Sequence, residues 1–356
     1  MTSGQVLPAH HPLVDGRTTN SPIVLAYQGI RPERAPIWMM RQAGRSLPEY
    51  RAIRASIPML DSCLQPELAA QITLQPVYRH SVDAAIFFSD IVVPLKLAGV
   101  DVDIVAGVGP VMGSAVRTMA DVAALPELDP EALSPITQAV AILIGELGST
   151  PLIGFAGAPF TLASYLVEGR PSRDKANTRW MMSNDPETWN ALLGWVGGVT
   201  GAFLRAQAVA GASAVQLFDS WVGALSLDEY VTFVAPHSRA VLDAVSDLPV
   251  ARVHFGTRTE HLLTAMLDVG ATVMGIDQHT PLDVANGLLG GATPLQGNID
   301  PQLLAADWDI LADHVRDVLR RGRKAPSHVV NLGHGVPKDT DPDVLTRMVA
   351  LVHDEG

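Results

Sequence analysis

Seven short, nearly unbroken apolar runs recur along the 356 residues, and each ends in a polar residue or a glycine. Residues 84–89 lead to Asp90, 151–155 to a Gly-Ala-Pro turn, and 214–218 to Asp219-Ser220. Residues 252–255 lead to Gly256, 272–276 to Asp277, 294–296 to Gly297-Asn298, and 328–332 to Gly333-His334-Gly335. Runs this apolar suit strands covered on both faces, and so a parallel sheet. Longer helical stretches lie between them, at 66–80, 130–147, 186–210, 226–245, 260–267, 281–289, 301–321 and 342–353. The first three begin with proline, whose missing N–H is harmless in a first turn. Strand–helix alternation repeated about eight times predicts an α/β protein of the (β/α)8 TIM-barrel type. A doubly wound open sheet is the alternative. It would call for a Gly-x-Gly-x-x-Gly turn after an early strand, and the chain has none. With no fixed-period repeat, low-complexity segment or long linker, residues 31–356 read as one catalytic barrel domain. Residues 1–30 read as an N-terminal extension, partly flexible.

Hydrophobic content of 47% with 17% charged residues is enough for a substantial core, far from the profile of disorder. The chain carries −12 and its pI is near 5.3, which argues against a broad nucleic-acid-binding face. One cysteine, Cys63, allows no internal disulfide and no multi-cysteine metal site. No run approaches 18 uninterrupted apolar residues, and the first twenty lack a secretory pattern, so a protein of the cytoplasm with no membrane partner is expected.

Against this acidic background, residues 31–54 hold six arginines and two glutamates, a local charge of +4. Such a concentration reads as an anion-binding segment. Arg41 and Arg45 are four apart and share a face on a helix or tight turn; Arg51 and Arg54 follow. The competing reading is a solvated arginine face. It weakens at Arg41 and Arg45, because the adjacent Trp38, Met39 and Met40 look buried. Lysine is scarce, so only Lys96, Lys175, Lys324 and Lys338 are candidates for Schiff-base chemistry.

Asp90, at a strand end, is either the cap of the next helix or a pocket carboxylate. Tyr165, Ser220 and His334 are hydrogen-bonding groups at strand ends or on the loops after them. Ser220 has a helix-cap alternative and His334 a flexible-turn alternative. Gly333 and Gly335 would let the backbone approach a large flat ligand. The polar segment 168–175 reads as a loop after a strand, either a lid or a plain surface loop.

Two stretches, Pro36-Ile37-Trp38-Met39-Met40-Arg41-Gln42-Ala43-Gly44-Arg45 and Gly154-Phe155-Ala156-Gly157-Ala158-Pro159-Phe160-Thr161, resemble the signatures of the uroporphyrinogen decarboxylase family. The resemblance runs from Pro36 to Asp341 in order and spacing. It includes Phe88-Ser89-Asp90-Ile91, Gln216-Leu217-Phe218-Asp219-Ser220, Leu295-Gln296-Gly297-Asn298 and Asn331-Leu332-Gly333-His334-Gly335. It implies substrate-carboxylate binding by Arg41 and Arg45, less firmly by Arg54, and an essential role for Asp90. It implies substrate contacts for Tyr165, Ser220 and His334, no cofactor, a polyanionic tetrapyrrole ligand and a homodimer. Catalysis falls to Asp90, with Arg41 as an open candidate in proton delivery. The resemblance departs at Gly275-Ile276-Asp277-Gln278, where the family usually has tryptophan after the aspartate. Two other readings compete. A zinc-dependent methyltransferase of the same superfamily needs a His/Cys/Cys-type site that Cys63 alone does not supply. A non-catalytic tetrapyrrole carrier needs the arginines but not Asp90.

Overall fold

The structure, a computed structural model, describes residues 7–356; residues 1–6 of the expected extension lie outside the described residues. In chain order the strands are β1 (Ala85–Ile86), β2 (Val102–Val105), β3 (Gly109–Met112), β4 (Leu152–Gly157), β5 (Ala214–Asp219), β6 (Ala251–Gly256), β7 (Val273–Gly275), β8 (Leu295–Ile299) and β9 (His328–Leu332). Seven form one parallel sheet in the order β1-β4-β5-β6-β7-β8-β9, while β2 and β3 form a separate antiparallel hairpin. Segment 36–40 closes the ring. Ile37 bridges Val330 of β9 in parallel, and the Val330 N–H donates to Pro36 O at 2.8 Å. On its other side the Asp83 N–H donates to Ile37 O at 2.8 Å and Gln42 Nε2 donates to Ala84 O at 3.0 Å, beside β1. The segment therefore stands where the eighth strand of a (β/α)8 barrel belongs.

Each expected strand is present. Helices Pro66–His80, Pro186–Ala210 and Pro342–Glu355 start at their prolines as read. The expected 226–245 helix is two, Leu227–Phe233 and Ala235–Asp243, because Pro236 cannot donate an N–H across the junction. The β2–β3 hairpin was not expected. Its short strands lie apart from the barrel and lack a continuous apolar run.

Two apolar layers hold the barrel. Phe155, Val253, Phe255 and Val329 pack inside it with Trp38 and Met40, and a larger cluster fills the space under the helices. The interior also holds a polar relay. Helix Pro22–Tyr27 brings the Tyr27 hydroxyl to donate to Gln296 Oε1 at 2.6 Å while it accepts the Trp38 indole N–H at 3.1 Å. Gln296 Nε2 donates onward to Gln216 Oε1 at 2.9 Å. These bonds offset the cost of burying polar groups in an apolar interior.

Two of the buried histidines contribute to the acid sensitivity of the fold. His254 on β6 bonds Met266 O at 3.0 Å, and His328 on β9 bonds Gly297 O at 2.6 Å. Burial lowers both to about 4. Below an unfolded value near 6.5, the unfolded chain takes up protons that the folded chain refuses. The resulting stability is complete above pH 6.5 and is lost as pH falls toward 4, by roughly 3 kcal/mol per histidine at most. The unfolding midpoint should drop between pH 7 and 4.5, and His254→Gln should flatten part of that slope. Identical slopes in both proteins would refute the assignment.

Candidate active site

The sequence-predicted residues converge at the C-terminal rim of the barrel, where strand ends and their following loops meet. Arg41 leaves the closing segment in the left-handed conformation, φ +60°. A non-glycine residue there costs roughly 1–2 kcal/mol, so surrounding contacts must hold it. They do. The Asn331 side-chain oxygen accepts the Met40 N–H at 2.9 Å and the Leu332 N–H at 2.8 Å. The Val336 N–H donates to Met40 O at 2.8 Å, and the Gln42 side-chain oxygen accepts the Met39 N–H at 2.9 Å. Arg41 and Arg45 thus sit in a turn, not on a helix, and both are exposed. Among the described residues neither guanidinium has a carboxylate partner.

The Arg41 side chain crosses directly over Gly335. A Cβ at that position would stand 2.7 Å from Arg41 Cγ and 3.0 Å from Nε. Gly333 is filled likewise by Gln278, whose Cα a Cβ would meet at 2.8 Å. The two glycines therefore admit the protein's own groups, which corrects the expectation that they make room for a flat ligand. Gln278, at the position where the family usually has tryptophan, packs under the turn that carries His334.

Asp90 follows β1. One carboxylate oxygen accepts the Val92 N–H at 3.1 Å, so it does cap the next turn. The residue is half-buried, and the resulting desolvation pushes the carboxyl pKa up; the Val92 N–H and the Arg41 charge pull the other way. Tyr165 lies on helix Pro159–Glu168 rather than at a strand end, because residues 159–167 are buried all round and form a helix. Burial, then the Asp90 charge, pushes its hydroxyl up to about 12, against Arg41. His334 is lowered, first by the surrounding protein and then by Arg41, with Asp277 opposing. Arg41 therefore acts on Asp90, Tyr165 and His334 together.

Arg54 stands behind this group. Its Nε donates to the Tyr50 hydroxyl at 3.4 Å, and Tyr50 meets Phe88 edge-on at 5.8 Å, two residues before Asp90. Cys63 lies between, fully buried; burial and Asp90 push its thiol up and Arg54 opposes them. Arg45 lends its carbonyl to Arg51 Nη1 at 2.7 Å, which shapes the turn. Ser220 directly follows β5; its carbonyl accepts the Thr257 hydroxyl at 2.6 Å, and its own hydroxyl caps no helix. The loop after Glu168 follows a helix and not a strand, as Tyr165 already implies. Gln42 and Asn331, which lock the arginine turn, stood in the quoted motifs without a role. A cavity of 380 Å³ at the opposite end, between Tyr27, Gln28, Ser213, Val250, Thr272 and Pro294, holds no titratable side chain except Tyr27.

Fold and rim together define a (β/α)8 barrel whose C-terminal rim carries exposed arginines and a half-buried carboxyl. The family profile described as uroporphyrinogen decarboxylase (URO-D) matches residues 18–355, and the chain belongs to that family. A relative named uroporphyrinogen decarboxylase, from Arthrobacter sp. (strain FB24), is 64% identical over 340 residues, covering 96% of this chain and 99% of its own. Another of that name, from Salinispora tropica, is 56% identical, covering 95% and 91%. Among solved structures, a methyltransferase from Methanosarcina mazei superposes with a TM-score of 0.75 at 19% identity, over 95% of this chain and 98% of its own. That likeness is one of fold.

Gly335 provides a clean test of the site's geometry, since its backbone lies outside the left-handed region and tolerates a side chain. Gly335→Ala should push Arg41 aside and weaken binding of a tetrapyrrole polycarboxylate about ten- to a hundredfold, the worth of a charge-assisted bond. Circular dichroism should stay unchanged. Wild-type affinity in this variant would show that Gly335 does not seat Arg41.

Proposed function

We propose that this chain is a carboxy-lyase that decarboxylates the four acetate side chains of uroporphyrinogen III to methyls, giving coproporphyrinogen III, without a cofactor. The observation that carries the reading is the pairing of a half-buried carboxyl, Asp90, with Arg41 and Arg45, which have no carboxylate partner among the described residues, on one rim. A porphyrinogen turns four pyrrole N–H donors toward one centre, and a single carboxylate is a fitting acceptor for them. Its peripheral carboxylates match the planar fork of arginine.

The pyrrole serves as its own electron sink. Protonation of a ring carbon beside the acetate-bearing carbon gives a delocalised cation. The bond to the carboxylate then breaks, carbon dioxide leaves, and its electron pair neutralises the ring as an exocyclic methylene. A proton adds to that methylene to make the methyl, and the proton on the ring carbon departs. The net change consumes one proton per acetate. Asp90 accepts the pyrrole N–H bonds and stabilises the ring cation. Arg41 and Arg45 hold side-chain carboxylates, with Arg54 behind them; Tyr165, Ser220 and His334 orient the ring. Arg41 is also an open candidate in proton delivery, though a guanidinium is a weak donor. Residues 31–356 carry this chemistry, with residues 1–30 as the N-terminal extension. The same reading makes the protein a homodimer of the cytoplasm. Among the described residues no helix is long and apolar enough to cross a membrane.

The zinc-methyltransferase alternative is not favoured. It needs a thiolate, and burial together with the neighbouring Asp90 charge favours the protonated Cys63 thiol. A carrier would not need Asp90. Asp90→Asn should therefore slow decarboxylation by orders of magnitude, since a pre-organised charge is worth several kcal/mol in the transition state. It should bind product better than it turns over substrate. Asp90→Glu should keep part of the rate. Equal rates for Asp90→Asn and wild type would reduce Asp90 to a helix cap.

A second outcome concerns cofactors. Activity should survive exhaustive dialysis against chelator; loss restored by zinc would return the chain to the methyltransferase reading.

A further inference from the structure

Lys175 lies outside every role described so far. It ends the loop that follows Glu168 and stands before helix Ala176–Asn184 in the left-handed conformation, φ +48°. That backbone is fixed by its surroundings. The Lys175 N–H donates to Ser172 Oγ at 3.0 Å. The Glu168 carboxylate accepts the Thr178 N–H at 2.8 Å, the Thr178 hydroxyl at 2.9 Å and the Asn177 amide at 2.9 Å. The loop is therefore clasped at both ends, and the lysine it presents is 9% exposed.

The ammonium sits 4.8 Å from the centre of the Trp221 ring. Trp221 stacks in turn on Tyr165, ring centres 4.2 Å apart, and its backbone N–H donates to Thr161 Oγ1 at 3.4 Å. Thr161 and Tyr165 are one turn apart on the same helix, so Trp221 is held to it once by its backbone and once by its ring. Lys175 is thus one aromatic ring away from a rim residue whose hydroxyl already feels Asp90 and Arg41.

What the ammonium lacks is an anion. The charges that reach it are Glu168, Asp174 and Arg179. Glu168 is committed to Thr178 and Asn177, Asp174 is exposed, and Arg179 repels. No carboxylate lies within ion-pair distance among the described residues. Burial lowers its pKa in consequence. A buried cation with only a ring for company is costly, and an incoming carboxylate would remove the cost.

We infer that Lys175 is a further carboxylate anchor for the tetrapyrrole, presented by the loop after Glu168 beside Trp221 and, through it, Tyr165. The inference rests on the proposed function for the identity of the ligand. It adds a flexible point charge to the planar forks of the arginines, suited to an acetate or propionate whose position changes as the ring is turned.

The test uses the full chain with Lys175→Met, which keeps the stem and removes the charge, and Lys175→Arg, which keeps the charge. An anchor remote from the reacting carbon contributes binding shared by ground and transition states. Lys175→Met should raise KM for uroporphyrinogen III about tenfold with kcat within about twofold, and should weaken coproporphyrinogen III binding with a shallower salt dependence. Lys175→Arg should return KM to within about threefold of wild type. Unchanged KM and salt dependence in Lys175→Met would overturn the inference, as would a Lys175→Arg protein no better than Lys175→Met. Wild-type protein that binds coproporphyrinogen III but releases no carbon dioxide would instead overturn the proposed function, and the binding arm would still decide Lys175.

Discussion

Everything at the rim depends on how the closing segment is held. A barrel of seven hydrogen-bonded strands has two raw edges, and residues 36–40 satisfy both, pairing with β9 through Ile37 and with the approach to β1 through Asp83 and Ala84. The same residues end in Arg41. Closing the sheet and placing the arginine are therefore one structural event. The Asn331 side chain makes the link, because it accepts N–H groups from the closing segment and from β9 at once. Removing such a buried acceptor would leave two N–H groups unsatisfied, at roughly 1–3 kcal/mol each.

That arrangement explains the electrostatics. Asp90 is half-buried, and desolvation alone would favour its neutral form. Arg41 is the charge that opposes this, and it can do so because Gly335 lets its side chain lie close. The exposed guanidiniums leave capacity for anions, while Asp90 near them is half-buried. A cation that develops over Asp90 and anions that arrive at Arg41 would both be met by groups already in place, with little reorganisation at the moment of reaction.

Much of this was legible in the chain. The strand ends announced themselves because continuous apolar runs stopped at polar residues, and Asp90, Ser220 and His334 all fall just past such stops. The eighth strand position was not legible. Residues 36–40 make a single bridge and are flanked by arginines, so their pattern suggested a helix or turn. Tyr165 reads from the chain as a strand-end or loop residue, because the helix that carries it is buried on every side and offers no amphipathic stripe to mark it. The roles of Gly333 and Gly335 were misread for a different reason. What fills the space beside them comes from Gln278 and from Arg41, 294 residues away from Gly335, and no local rule reports contacts at that separation. The polar relay from Tyr27 to Gln216 was equally invisible, since each member alone looks like an ordinary core or surface residue.

The central claim is that Asp90 faces the pyrrole nitrogens while Arg41 and Arg45 hold the periphery. A crystal structure of the protein with coproporphyrinogen III bound tests it most directly. The account predicts an Asp90 carboxylate oxygen within hydrogen-bond distance of the pyrrole nitrogens, with Arg41, still packed on Gly335, contacting a propionate. A product seated elsewhere, with Asp90 bonded only to Val92 and the Arg41 guanidinium free of carboxylate, would contradict it.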